Sequence, residues 1–269
     1  MGRRGCHRRR CPGTLRGDVA VGRVGVPAWA AIVVPAVAAL AGSVSPRAPV
    51  TSDTRADDLP HAQYEAAARG APVYRIDSSA SEVLIFVYRD GPLARFGHDH
   101  IVASHDVTGY ILWSDAPGVA RADLRVPLAT LTVDETGLRA AAGFDTTPSD
   151  DDIAGTRDNM LASLDATAFP VMRISVTRQG DQADVSLQVE ITLHGVTRSF
   201  PVTVDLERGE DWLRVNGSFS VLQSDFGITP YSILGGALSV RDRLDIRFRL
   251  AGRRTDAGLP LAQPDKPPG

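Results

Sequence analysis

The chain has 269 residues, 43% hydrophobic and 23% charged, with a formal net charge of −3. That composition argues against wholesale disorder. The charge is uneven: residues 1–44 hold seven Arg and one Asp, a net of +6, which leaves −9 on the rest. An acidic body argues against a nucleic-acid partner, because phosphate contacts need a basic surface.

The first element is a targeting segment, residues 1–44. Seven arginines from Arg3 to Arg23 precede the uncharged apolar run "VPAWAAIVVPAVAALAG". "ALA" at 39–41 offers small residues for cleavage, as in a signal peptide. The run from about Val24 to Val44 is also long enough to span a bilayer, which takes roughly 20 residues. Signal peptide and membrane anchor both stay open. Either one exports the body, with the basic end held inside. The expected location is periplasmic or extracellular, free or anchored to the cytoplasmic membrane through the N-terminal segment. Both cysteines, Cys6 and Cys11, fall in this segment. The exported body therefore has no disulfide, no thiol nucleophile and no sulfur for a metal.

Residues 45–71 read as a polar linker with a short helical piece near Gln63–Arg69. The domain follows, residues 72–252. Candidate strands come in order: "VYRID", "EVLIFVYR", "HIVASHDVTGYILW", "ARADLRVPL", "ADVSLQVEITL", "SFPVTVDLE", "WLRVNGSFSVL" and "DRLDIRFRL". The later ones alternate cleanly, with Leu187, Val189 and Ile191 on one face and Gln188, Glu190 and Thr192 on the other. Period-two alternation of this length means half-buried strands in an antiparallel sheet. Turn residues mark "RDGP", "RQGDQ", "HGVT" and "RGED". Residues 134–165 break the pattern and read as helix or loop. Ile153, Met160, Leu161 and Leu164 have helical spacing, and Ser149 or Asp150 suits an N-cap before Asp150–Asp152. A connection this long is a candidate lid. Residues 253–269 are Pro-rich and read as a disordered tail.

The count is eight or nine strands, each with one apolar face. A closed barrel removes the exposed edges that an open sheet would leave. The expected fold is all-β, an antiparallel barrel of about eight strands with a short helical insertion. A two-sheet sandwich has the same periodicity.

Four stretches, in order, resemble the YceI-like family, exported bacterial proteins with a lipocalin-like barrel. They are "YRIDSSASEVLIFVYR", "NMLASLDATAFPVMRIS", "VEITLHGVTRSFPVTVDL", and "SDFGI" followed by "LSVRDRLDIRF". The resemblance covers about Pro72 to Ala251. It implies a barrel that binds a polyisoprenoid lipid, such as a quinone tail, without covalent chemistry. Gln223 stands where many members have Arg. The "GHDH" element at 97–100 is outside the general family pattern.

The inward row supplies the candidate lipid lining: Val185, Leu187, Val189, Ile191, Phe200, Val202, Phe219 and Phe248. Alternation alone leaves a lined cavity and a filled core equally open. His98 and His100 share a strand face and are candidates for a lipid's polar head group. The alternative function is metal binding by His98, His100 and His105, imidazole being the commonest ligand. His105 has the opposite parity and needs a bend to join. No "HExxH" spacing, cysteine pair or "GxSxG" elbow is present. The reading is therefore a binding protein with no catalytic residues and no cofactor beyond a bound isoprenoid lipid or quinone.

Overall fold

The computed structural model describes residues 59–114, 119–179 and 185–255, the side chains of Gln179 and Val185 excepted. The expected targeting segment, most of the expected linker and the expected tail beyond 255 lie outside the described residues. Among those described, no helix is long and apolar enough to cross a membrane.

The chain opens with α1 (His61–Ala67), then β1 (Val73–Ile76), β2 (Glu82–Val87), β3 (Arg89–Asp90), β4 (His100–Ser104) and β5 (Thr108–Leu112). Next come β6 (Arg121–Pro127), β7 (Thr132–Val133), α2 (Thr136–Ala142) and α3 (Asp150–Ser163). The long strands follow: β8 (Val171–Gln179), β9 (Val185–Leu193), β10 (Val196–Arg208) and β11 (Trp212–Leu222). After them come β12 (Ser232–Ile233), β13 (Leu238–Val240) and β14 (Arg243–Arg254).

Eight strands close a barrel in the order β1-β5-β6-β8-β9-β10-β11-β14, with β14 returning to β1. Every pairing in it is antiparallel. Closure leaves no free edge along this wall. The two-sheet alternative is thereby excluded. One seam is shared. The C-terminal part of β14 pairs β1 through Ile76 and Gly252, while its N-terminal part pairs β2 through Ile85 and Ile246. β4 and β7 then continue the wall beyond β2. The small sheet β12-β13-β3 stands apart from it.

The period-two faces explain the closure. Val189, Ile191, Val202, Val204, Leu213 and Val215 are buried inside, and Glu190, Thr203, Asp205 and Arg214 are exposed outside. The β9–β10 turn is the two-residue loop His194-Gly195, both at positive φ (52° and 73°). Two left-handed residues match the twist of a hairpin. Gly195 is also needed for space, because a Cβ there would sit 2.8 Å from the Phe169 ring.

β5 is covered on its outer side as well. Tyr64 of α1 is fully buried against Val73, Tyr110 and Leu112. Its hydroxyl donates to Asp123 Oδ2 at 2.8 Å. The end of the expected linker thus packs on the barrel, as helix His61–Ala67. At the other terminus β14 runs through Arg254, so residues 253 and 254 are strand rather than tail.

Candidate functional site: an apolar barrel cavity

A cavity of about 350 Å³ runs through the barrel, lined along the lengths of β9, β11 and β14. From the expected row, Leu187, Val189, Ile191, Phe219 and Phe248 line it. Ala122, Leu124 and Val126 of β6 supply the facing wall.

Phe200 and Val202 do not line the cavity, which corrects the expectation. Val202 is buried, and aromatic side chains fill the space before Phe200. Phe200 packs on Phe219 and on Phe226, with ring centroids 6.0 and 6.2 Å apart. Phe248 leans across Gly217 toward Val204: a Cβ at 217 would come within 2.6 Å of the ring and 3.2 Å of Val204. Aromatic rings therefore stand between this part of β10 and the cavity. Of β10, only Leu206 reaches it. The side chain of Val185 lies outside the described residues.

The two ends of the cavity differ. At one end α3 contributes Thr156, Asn159, Met160 and Ser163, facing Gln223 and Tyr231. Asn159 is exposed and Tyr231 is 43% exposed, so this end carries the mouth. α3 is set by a capping box. Ser149 Oγ accepts from Asp152 N–H, and the Asp152 carboxylate accepts from Ser149 N–H. Arg157 ties the helix down through the carbonyls of Leu131 and Ala129. At the opposite end Trp113 lines the cavity and is only 5% exposed. The guanidinium groups of Arg178 and Arg208 lie 5.4 and 5.9 Å from its ring centre.

His100 lines the cavity, and His98 stands behind it, with ring centroids 6.2 Å apart. His100 Nδ1 lies 2.6 Å from Asp134 Oδ2, which leaves Nε2 as the edge available to a ligand. Asp134 also accepts from Ile101 N–H at 3.0 Å and from Arg139 at 2.7 Å. Burial opposes ionisation of Asp134, but the hydrogen bonds from His100, Ile101 and Arg139 outweigh it and hold its carboxyl below the usual range. Arg139 further donates to the carbonyls of Asp99 and Thr146, both at 2.6 Å. One buried guanidinium thus joins the "GHDH" loop, Asp134 and the stretch after α2 at Thr146.

His105 does not join the other two. It is bound to Glu135 at 2.9 Å. Among the described residues no group of three or more His, Cys, Asp and Glu could hold a metal ion. The metal reading is corrected accordingly: strand parity sends His105 away, as its position five residues after His100 implies.

Sequence reasoning missed the Asp134–Arg139 network, and it missed Trp113. Alternation does not report a buried ion pair between a loop and a helix. It also missed that three motifs meet. The His194 ring lies 5.5 Å from Phe169, and His194 Nδ1 lies 3.2 Å from the Phe226 carbonyl.

A sequence model of the YceI-like domain matches residues 74–251. The fold is similar to that of BcnA from Burkholderia cenocepacia, at 12% identity and a TM-score of 0.49, over 65% of this chain and 98% of that one. It is also similar to a Campylobacter jejuni YceI protein, at 15% identity and a TM-score of 0.40, over 58% of this chain and 85% of that one. No curated protein matches the sequence.

Proposed function

The chain belongs to the YceI-like family, and on that premise we propose that its barrel binds an isoprenoid lipid and carries or sequesters it outside the cytoplasmic membrane. The observation that carries this reading is the cavity, about 350 Å³ with an almost wholly apolar wall. A prenyl tail is matched to such a wall, since burial is worth roughly 0.8 kcal/mol per CH₂. Several isoprene units offset the cost of association without a charged anchor. The tail lies along Leu187, Val189, Ile191, Phe219 and Phe248, and the head group stays at the mouth. There Gln223, Asn159, Tyr231 and the Nε2 edge of His100 offer hydrogen bonds. A few polar groups at the rim of an apolar pocket are the usual arrangement. No covalent step is involved. The arginine-rich segment ahead of an apolar run supports export.

Titration of delipidated protein tests the proposal. A prenylated quinone is expected to bind saturably, and the same quinone head without its tail is expected not to. Equal binding of the two would place the energy in the head group and contradict the reading.

A further inference from the structure

We propose that the mouth of the barrel docks on a phospholipid bilayer through an apolar tip formed by two loops, and that lipid passes between membrane and cavity there. This rests on the lipid-binding reading of the cavity.

The tip is the small sheet beside the mouth. Among the described residues, Leu234 and Phe96 are the most exposed large hydrophobic side chains, at 70% and 65%. Ile233 and Tyr231 are exposed as well. All four belong to one surface. Ile233 pairs with Leu238 across β12 and β13, and Leu238 packs against Gly97, next to Phe96. The Leu93 N–H donates to the Ala237 carbonyl and ties the two loops together. Exposed apolar side chains gathered this way mark an interaction surface.

Two observations point to a membrane as the partner. The patch is continuous with the cavity, because Tyr231 is both exposed and part of the lining, and Val240 N–H donates to its carbonyl. A water-insoluble ligand must leave a bilayer at such a mouth. The patch also has interfacial chemistry. The Arg95 guanidinium stacks 4.6 Å from the centre of the Phe96 ring, which sets a cation beside an aromatic anchor as at a headgroup layer. Leu234 is presented outward at positive φ, 53°, followed by Gly235 and Gly236. A large apolar residue in that conformation at a solvent-facing tip gains nothing from the protein's own core.

The test uses the full chain with Cys6→Ser and Cys11→Ser, so that any association of the N-terminus is common to every sample. A nitroxide is placed at Leu234→Cys or, as the far-end reference, at Glu210→Cys. Mixed phosphatidylcholine–phosphatidylglycerol vesicles are added, and accessibility to oxygen and to a water-soluble nickel chelate is read by electron paramagnetic resonance. The proposal expects the label at 234 in the bilayer and the label at 210 in water. Both in water, or both immersed alike, overturns it. The pair Phe96→Ser and Leu234→Ser is expected to slow lipid uptake from vesicles about tenfold and to leave the amount bound at saturation unchanged. A saturable lipid site with no immersion at 234 would overturn docking alone. Immersion at 234 with no lipid ever bound would leave docking standing and remove the cavity's proposed ligand.

Discussion

The two ends of the barrel are built from different materials. At the α3 end the lining includes exposed Asn159 and Tyr231, and the covering element is a helix held by a cap and by Arg157. At the other end, among the described residues, the lining ends at Trp113, buried beneath Arg178 and Arg208. The first can open with the loss of a few hydrogen bonds, while the second requires an indole and two guanidinium groups to move. The contrast teaches that a barrel with one apolar wall still has a direction.

The largest effect is expected from Arg139→Ala. It leaves Asp134 buried with one fewer partner and frees the loops at the mouth. A stability loss of about 3–5 kcal/mol, read by denaturant titration, is expected. Val189→Asp sharpens the role of the shared wall. A charge placed in the cavity should lower prenyl-quinone affinity by about a hundredfold, and unchanged affinity in a folded variant would show that the tail lies elsewhere. Trp113→Leu tests the closed end. Ligand release, followed after dilution, should quicken about tenfold if the indole blocks a second way out.

Acid should act in part through Asp134, beside the mouth. The carboxyl of Asp134 is held below its ordinary range when folded, so its contribution to stability is present above the unfolded value, about 4, and is lost as pH falls through the lower folded one. Melting temperatures taken from neutral pH downward should fall in that acid range, and Asp134→Asn should flatten the fall. The smallest effect is expected from Ser149→Ala. Loss of the cap costs α3 about 1 kcal/mol, seen as faster ligand uptake with little change in the melt.

Much of the wall was legible in the sequence. Strands β9, β10, β11 and β14 declared themselves by alternation, and turn residues marked "HGVT", of which only His194-Gly195 is loop because Val196 and Thr197 already pair with Leu193 and Thr192. The start of α3 followed from its acidic run, with Ser149 or Asp150 as the cap, and the structure selects Ser149. The split seam at β14 was not legible, because one strand pairing β1 and β2 along one edge is a long-range fact. Nor could alternation tell which inward residues meet the cavity. Phe200 and Val202 share the parity of Leu206, which does, and the rings that fill the space before Phe200 come from other elements of the chain. The buried Arg139 sits in "TGLRAAAG", a stretch that reads only as helix or loop and proves to be α2.

Native mass spectrometry of the full chain, purified from the bacterial envelope without delipidation, tests the central claim most directly. The account predicts an adduct of a single lipid that organic solvent extracts and that Val189→Asp lacks. A bare mass, with the cavity still refusing a prenylated quinone, would contradict it.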